Sequence, residues 1–250
     1  MRYALLVSYD GTDFSGFQSQ PNARTVQGEL ERAAEEAFGV RVKISGSGRT
    51  DAGVHALGQV CHFDAETKIP AKKIKNCLNG FLPPDLRVLK SIEAPAGFDC
   101  TRGAKRKTYC YSFYYAETEL PLLDRYHARV KEEPDLGRMR AAAELLVGSH
   151  DFKAFCASGS SAKTSVREIY SAEVGRERAG EGWVYRVRVC GNGFLYNMVR
   201  IIAGELYAVG CGKEEGITAA FETRRRNCLA RTMPPNGLLM ERVEYETELF

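Results

Sequence analysis

YALLVSYDG at residues 3–11 and TVQGELERAAEEAFG at residues 25–39 set the pattern of secondary structure for this chain. The first stretch is a short apolar run that ends at Asp10-Gly11, which is typical of a β-strand followed by a turn. In the second, Thr25 can cap a helix and Gly39 can end it. The apolar residues between them recur at helical spacing: Val26, Leu30, Ala33, Ala34 and Ala37. This alternation of strand and helix predicts an α+β unit at the N-terminus.

The rest of the first hundred residues continues the alternation. Two strands, Val42–Ile44 and Gln59–Phe63, flank a glycine-rich segment. A helix follows at Ala71–Asn79 and a last strand at Leu86–Ile92. The order β-α-β-β-α-β is that of a ferredoxin-like unit, and we place the junction to the next unit at Phe98–Gly103.

The second half is built from similar parts. The predicted strands are Lys107–Tyr115, Thr164–Val174, Trp183–Cys190 and Leu238–Tyr245, and the predicted helices are Leu136–Val147, one centred on Leu195–Leu206, and Lys213–Glu222. We therefore expect an α+β fold of two ferredoxin-like lobes, residues 1–103 and 104–250. Their antiparallel or mixed sheets would join in one extended central sheet, with the helices packed on one face.

Composition places the chain among ordinary globular proteins. It has 250 residues, of which 44% are hydrophobic and 27% charged, and this excludes disordered, collagen-like and coiled-coil chains. The formal net charge is only +3, so local basic clusters, rather than total charge, must indicate any polyanionic partner.

The spacing of the cysteines and the length of the apolar runs indicate the cellular compartment of the protein. The eight cysteines form no C-x-x-C pair, so we expect reduced thiols rather than a zinc site or disulfides. Cys61, Cys110 and Cys190 fall in strand patterns and should lie in the core. The apolar run at the N-terminus is too short for a signal peptide, and the run from 194 to 209 is interrupted by charges. We expect a cytoplasmic protein with no membrane span.

The segment GSGRTDAGVHA at residues 46–56 carries the candidate chemistry. Its glycines predict a tight, exposed loop, but it lacks the third glycine of a dinucleotide loop, and the chain has no P-loop. Arg49 and Asp51 are two positions apart, about 7 Å at Cα in extended backbone, which allows them to pair. A guanidinium would keep a covered carboxylate ionised, as a nucleophile or base must be. From these residues alone, a loop salt bridge with Asp51 capping a turn stays open, and His55 indicates turn scaffolding rather than chemistry.

GRTDAGVHALGQV at residues 48–60 closely resembles the active-site segment of the TruA family of tRNA pseudouridine synthases. Further segments resemble the family in the family's order over nearly the whole chain. They are YDGTDFSGFQSQP, TVQGELE, GSHDFKAF, SVREI, GFLYNMVRIIAGEL and MPPNGLL.

The resemblance implies isomerisation of uridine to pseudouridine at positions 38, 39 and 40 of the tRNA anticodon stem-loop. The base would be flipped into a cleft between the lobes, the first lobe carrying the catalytic loop and the second completing the cleft. No metal, redox or nucleotide cofactor is required, and a homodimer is expected. Asp51 matches the essential aspartate, which attacks the sugar or base or removes a sugar proton; the resemblance does not choose among these routes.

Three further residues match substrate-binding positions of the family. Arg49 corresponds to the arginine that pairs with the aspartate and fills the gap left by the flipped base. Tyr109 corresponds to the tyrosine that stacks on the target uracil. Arg200 corresponds to a second cationic partner of Asp51. Plain surface charges would be the alternative for both arginines.

Tyr109 also belongs to an alternating run on one face of its predicted strand. Such a face can stack bases, but we expect its other aromatic residues, Tyr111, Phe113 and Tyr115, to lie in the sheet core. Two basic clusters could contact RNA phosphates, although a charge run is more often a solvated surface. They are Arg102, Lys105, Arg106 and Lys107, and Arg224, Arg225 and Arg226.

Two other classes of function are compatible with parts of the sequence. A non-catalytic RNA-binding protein could use a ferredoxin-like sheet for single strands, but it would give Asp51 with Arg49 no purpose. A glycosidase needs two cooperating carboxylates, and the motif offers one. Four residues depart from the family pattern and put substrate range and local packing in doubt: Phe17, Glu205, Met233 and Leu239.

Overall fold

The computed structural model describes residues 1–160 and 162–250. Within this part of the chain, α-helices and β-strands form two compact units. The first contains residues 1–105 and 239–250, and the second contains residues 106–238. Residues 239–250, which the sequence suggested grouping with the second half, thus pack with the first unit. The two functional domains, 1–103 and 104–250, stay a prediction.

The first unit follows the predicted order β-α-β-β-α-β. The sheet order β4-β1-β3, with β2 against β3, is ferredoxin-like, and these pairings are antiparallel. β10 lies parallel to the start of β3. The elements are β1 Arg2–Tyr9, α1 Val26–Phe38, β2 Ser45–Gly46, β3 His55–Asp64, α2 Ala71–Asn79, β4 Leu86–Glu93 and, at the end of the chain, β10 Leu238–Glu244.

Helix α1 confirms the predicted capping. The Thr25 side chain accepts from Gly28 N–H, and Gly39 ends the helix in the left-handed conformation, at φ 71°. Val26, Leu30, Ala33 and Ala34 are buried, because they share the helix face that packs into the core.

The strand predicted at Val42–Ile44 is wrong. Both residues are buried, but the Ile44 N–H donates to Glu31 Oε1 of α1 (3.0 Å) rather than to a neighbouring strand. Strand pairing begins only at Ser45, opposite His62. An apolar alternation indicates that residues are buried, but it does not identify what they pair with. Here the backbone is hydrogen-bonded to a helix.

The second unit is a sheet ordered β5-β9-β8-β7, with β6 parallel to β5. Helix α4 packs on β8, and α5 on α4 and β5. Short 3₁₀ turns occur at Phe152–Phe155, Arg226–Cys228 and Pro235–Gly237. The elements are β5 Arg106–Tyr115, α3 Pro121–Asp124, β6 Ala128–Val130, α4 Leu136–Glu144, β7 Gly148–Asp151, β8 Val166–Ala179, β9 Gly182–Gly191, α5 Met198–Gly210 and α6 Ile217–Thr223.

The alternating run on β5 lies on one face, as predicted. Tyr111 and Phe113 are fully buried, and the Phe113 ring stacks on Tyr185 of β9, with centroids 5.2 Å apart. Tyr115 is only half-buried, because it is the last residue of β5, opposite Trp183. The α+β fold class is confirmed, and so is the burial of the three predicted core cysteines, Cys61, Cys110 and Cys190.

Cysteine pairing agrees with the expectation of reduced thiols. All eight cysteines lie in the described part of the chain, and each is a thiol rather than half of a disulfide. Burial raises the pKa of the Cys61 thiol well above its usual range, so this sulfur stays protonated inside the sheet.

Candidate active site

The loop of residues 47–54, called here the Asp51 loop, joins β2 to β3 and is held at its start by Gln59 of β3. The Ser47 hydroxyl donates to Gln59 Oε1 (2.5 Å), and the Gln59 amide donates to Gly48 O (2.8 Å). Ser47 and Gln59 are both completely buried. One buried amide thus fixes the backbone where the loop leaves β2, since its broken bonds could not be replaced by water.

Thr50, the residue before Asp51, is anchored by two bonds. Its hydroxyl and that of Tyr9 are hydrogen-bonded at 2.8 Å, and Phe17 N–H donates to Thr50 O (3.0 Å). Burial raises the pKa of Tyr9 far above its ordinary value, so the phenol keeps its proton. These contacts join β1 and the segment after it to the Asp51 loop.

Asp51 is half-buried and begins a tight turn. Its carbonyl accepts from Val54 N–H (3.2 Å), and Gly53 N–H donates to Phe14 O (3.3 Å). The backbone is therefore hydrogen-bonded on both sides of the carboxylate. Arg49 is exposed two residues earlier in the same loop, and its pairing with Asp51 stays a prediction.

The end of the Asp51 loop is held by a second buried group, His55. Gly11 N–H donates to His55 Nδ1 (3.0 Å), and Asp10 Oδ1 lies 3.1 Å from the same nitrogen. The Thr12 hydroxyl donates to that Asp10 oxygen (2.6 Å). His55 therefore binds the turn after β1, which agrees with the scaffolding role expected for it.

The segment of residues 10–17 packs closely against the Asp51 loop. At Gly16 the two are so close that a side chain would not fit. Gly16 has φ +96°, and a Cβ there would lie 2.8 Å from Thr50 O. Phe17 is buried, and its ring lies directly against Gly46 at the end of β2. The motif that begins at Asp10 thus serves as the brace of the loop.

In the second unit, Tyr109 lies on β5 opposite Val189. It is 8% exposed, and its ring meets Phe194 edge-on, with centroids 5.1 Å apart and planes at 80°. This contact holds the ring in one orientation, as a stacking surface for a base requires.

Arg200 lies in the first turn of α5, and two hydrogen bonds orient its guanidinium. Its Nε–H donates to Met233 O (2.8 Å), and an Nη donates to Asn197 Oδ1 (2.6 Å). Asn197 precedes the helix in the left-handed conformation, at φ 61°. Arg200 also lies near Tyr111, where its charge opposes the rise in the Tyr111 pKa that burial causes.

Sequence reasoning missed the groups that hold the candidate residues in place. Tyr9, Asp10 and Gln59 brace the Asp51 loop, and Asn197 and Met233 orient Arg200. Asn197 directly precedes α5, but its side chain makes no capping hydrogen bond, so the capping preference of asparagine gave no signal for its contact with Arg200. The other contacts join residues distant along the chain, and periodicity carries no information on them.

The first basic cluster is largely occupied by contacts within the protein. Arg102 Nε lies 4.0 Å from Asp99, and Lys105 Nζ lies 3.8 Å from Glu246. The Arg106 guanidinium stacks over the Tyr170 ring at 4.5 Å. Lys107 is half-buried on β5. Arg102, Lys105 and Arg106 stay exposed, so these cations are accessible to a polyanion.

The second basic cluster separates into three environments. Arg224 Nε pairs with Asp151 Oδ2 (2.9 Å), and Arg225 is exposed. Arg226 is half-buried and donates to Leu229 O (3.1 Å), and burial lowers its pKa. Arg226 therefore serves the internal structure, and the three arginines do not form one uniform surface.

The described residues were also compared with the requirements of a metal site and of a membrane-spanning helix. Residues 1–160 and 162–250 contain no group of three or more His, Cys, Asp or Glu side chains placed to hold a metal ion. No helix in this part of the chain is long and apolar enough to span a bilayer.

Comparison with known proteins identifies the class. A family model described as tRNA pseudouridine synthase matches residues 5–101 and 142–246. Asp51, Arg49 and Arg200 lie in the matched ranges, and Tyr109 lies in the gap between them. The class is therefore an isomerase that makes pseudouridine in tRNA.

Individual relatives share the whole length of the chain. A tRNA pseudouridine synthase A of Caldicellulosiruptor bescii is 40% identical over 98% of this chain and 100% of its own. Relatives of the same name from Listeria innocua and Bacillus pumilus are each 42% identical, over 98% of this chain and 99% and 100% of theirs. The chain belongs to the tRNA pseudouridine synthase A family.

One solved structure resembles the chain distantly. A chain of the "Crystal Structure of a Cbf5-Nop10-Gar1 Complex" is 12% identical, with a TM-score of 0.36, over 95% of this chain and 57% of that one.

Proposed function

We propose that this enzyme isomerises uridine to pseudouridine at positions 38, 39 and 40 of the tRNA anticodon stem-loop, with Asp51 as the essential carboxylate. The N1–C1′ glycosidic bond breaks, the base turns, and a C5–C1′ bond forms. The proton on C5 is released and N1 gains a proton, so no atom is added to or lost from the substrate overall. Asp51 acts by attack on the sugar or base or by removal of a sugar proton.

The observation that carries this proposal is the bracing of Asp51. Its neighbours Thr50 and Gly53 are tied to the segment 10–17, and Ser47 and His55 fix the two ends of the loop. Such a fixed backbone can hold a half-buried carboxylate in a reactive geometry. A loop that served only as a connection would not need four separate anchors.

The remaining roles follow the family. Reaching C1′ and C5 requires that the nucleotide be flipped from its stack, at a cost of a few kcal/mol. We assign Arg49 to the space left by the base, Tyr109 to stacking on the uracil, and Arg200 to the negative charge of Asp51. The fixed orientation of the Tyr109 ring and of the Arg200 guanidinium supports the last two assignments, because these groups do not have to be ordered when substrate binds.

The exposed members of the basic clusters are proposed contacts to tRNA phosphates. Arg102, Lys105, Arg106, Arg224 and Arg225 are exposed, whereas Lys107 and Arg226 are half-buried. Removal of one cation that binds a phosphate should reduce the slope of log K against log salt by about 0.7 to 0.9. A slope that Arg225→Gln leaves unchanged would contradict phosphate binding by that residue.

Replacing Asp51 by Asn tests the catalytic assignment. The change removes charge and keeps shape, so the variant should bind tRNA like the wild type and lose turnover. Turnover is measured as tritium release from tRNA labelled at C5 of uridine. Asp64→Asn, at an exposed carboxylate paired with Arg2, is the matched control and should keep its activity.

The outcomes separate the synthase from the rival functions. Activity of Asp51→Asn within about tenfold of wild type would overturn the role of Asp51, since a general base or nucleophile contributes at least about 10²-fold. Wild-type protein that binds tRNA and releases no tritium would favour a non-catalytic RNA-binding protein. Mapping pseudouridines in bulk tRNA after incubation with the purified chain tests positions 38 to 40 directly.

The homodimer and the cytoplasmic location stay predictions from the family. Sedimentation of the purified chain tests the first, and fractionation of cells tests the second. A monomer that is active at the same dilution would contradict the need for a dimer.

A further inference from the structure

Glu205 is a carboxylate buried in the middle of the largely apolar helix α5. It is 0% exposed, and a buried charge is stable only when it is paired and hydrogen-bonded. Its Oε1 accepts from Lys213 Nζ (2.8 Å) and Gly216 N–H (3.0 Å), and its Oε2 accepts from Ala230 N–H (2.6 Å). One side chain therefore joins three segments of the second unit.

The segment of residues 228–234, called here the strap, lies along α5 and is fixed by these contacts. Lys213 Nζ, held by Glu205, also donates to Cys228 O (3.2 Å). Gly204 faces the strap so closely that a Cβ would overlap Arg231 O. The strap therefore rests directly on the backbone of the helix, with Ala230 bound to Glu205 at its centre.

The strap ends at Arg200, about 7.5 Å along the helix from Glu205. Met233 N–H donates to Arg200 O (3.2 Å), and Arg200 Nε–H donates back to Met233 O (2.8 Å). Arg226 also ties the strap together, through Leu229 O (3.1 Å) and Thr232 Oγ1 (3.2 Å). The acceptor that orients the Arg200 guanidinium is thus carried by the segment that Glu205 anchors.

We propose that Glu205 is a positioning residue for the reaction. By binding Ala230 N–H and Lys213 it sets the strap on α5, and the strap places Met233 O where it orients Arg200. This inference rests on the proposed role of Arg200. A carboxylate suits the task because its two oxygens accept three donors, whereas an amide would turn two N–H donors toward groups that are themselves donors.

The first test measures orientation without reference to activity. The Arg200 Nε–H signal is assigned by ¹⁵N NMR from its loss in Arg200→Lys, and its exchange with solvent is followed in the wild type and in Glu205→Gln. We expect exchange at least about tenfold faster in Glu205→Gln, because the bond to Met233 O opens more often. Glu214→Gln, at an exposed carboxylate of the same loop, is the control. Unchanged exchange in Glu205→Gln overturns the proposal.

The second test is a double-mutant cycle on turnover. A misplaced guanidinium should lower kcat by about tenfold to a hundredfold with KM within about twofold. In an Arg200→Ala background, Glu205→Gln should then change kcat less than about twofold, since the group through which it acts is absent. Its effect on the free energy of unfolding should be the same in both backgrounds.

The two tests distinguish failure of the inference from failure of the proposed function. Equal kcat losses in both backgrounds would show that Glu205 acts on the fold in general and would overturn the inference. Faster Arg200 exchange together with full activity of Arg200→Ala would overturn the proposed role of Arg200 and leave the positioning itself established. If Glu205→Gln does not fold, Glu205→Asp replaces it; it keeps the charge, is one carbon shorter, and should show the same pattern.

Discussion

A buried pair of hydroxyl groups, Tyr9 and Thr50, fixes the residue that precedes Asp51. Tyr9→Phe removes one partner of the 2.8 Å bond and leaves the Thr50 hydroxyl without it, so we expect a loss of about 1 to 3 kcal/mol in the free energy of unfolding. Turnover should also fall, because the Asp51 loop loses an anchor. Urea denaturation and tritium release measure the two effects.

The matched variant is Thr50→Val, which removes the other hydroxyl and keeps the shape. If the pair acts as a unit, the double variant should be no less stable than Tyr9→Phe alone, since replacing both partners removes the unsatisfied group. Additive losses would show that the two hydroxyls stabilise the protein independently.

Tyr109 offers a separate test of stacking. Tyr109→Phe keeps the ring against Phe194 and should lose only the contribution of the hydroxyl. Tyr109→Ala removes the ring, and with it both the stacking surface and about 3 to 5 kcal/mol of core packing. The two variants are compared by kcat/KM at a temperature at which both remain folded. Equal, large losses in both would contradict stacking on the uracil.

The candidate residues could be predicted from the sequence, but most of their supports could not. The motif around Asp51 and its resemblance to a family give Asp51 and Arg49, and the resemblance of the segment GFLYNMVRIIAGEL gives Arg200. Tyr9 lies 41 positions from Thr50, and Glu205 lies 25 positions from Ala230. Such contacts depend on how strands and helices meet in space, and no local pattern encodes them.

At the scale of elements, the brace formed by residues 10–17 predicts a specific sensitivity at Gly16. Gly16→Ala places a Cβ 2.8 Å from Thr50 O at φ +96°, so backbone strain and overlap act together. We expect a stability loss of more than about 1 kcal/mol and a fall in kcat, because the loop must shift away from the added atom.

Gly39→Ala is the matched control for Gly16→Ala. Gly39 also has positive φ, +71°, but no atom lies within 4 Å of a Cβ placed there. The Gly39→Ala substitution should introduce similar backbone strain at the end of α1, with a similar loss of stability, and leave kcat unchanged. Equal kcat values for the two variants, measured well below their melting temperatures, would contradict the bracing role of the segment.

The bounds of a helix or strand could be predicted where its apolar pattern and its end signals agree. Helix α2 has the predicted bounds, Ala71–Asn79, since its apolar face and the following glycine agree. Strand β8 continues to Ala179, five residues beyond the prediction, because charged residues from Arg176 to Arg178 hide its pattern. Helix α6 begins at Ile217 rather than Lys213, because the Lys213 ammonium and the Gly216 N–H are committed to Glu205.

At the scale of the whole molecule, each unit contains a tyrosine whose buried hydroxyl predicts loss of stability at alkaline pH. Burial raises the pKa of Tyr9 in the first unit and of Tyr111 in the second above the ordinary value near 10. The folded chain therefore keeps the protons of these two hydroxyls above about pH 10, where the unfolded chain releases them. The stabilisation is complete below that pH and is lost as pH rises toward the folded-state values.

The free energy of unfolding should therefore fall, above about pH 10, by up to about 1.4 kcal/mol per pH unit for each of these tyrosines. Urea denaturation at a series of pH values from about 8 to about 11.5 measures the slope. Tyr9→Phe and Tyr111→Phe should each reduce this slope by the contribution of one proton. Tyr196→Phe, at a tyrosine that is 44% exposed, is the control. Because the two groups lie in different units, their effects on the slope should add if both units unfold in one transition. A slope that neither buried variant changes would show that these hydroxyls do not control the alkaline limit, and two separate transitions, each sensitive to one tyrosine, would show that the units unfold independently.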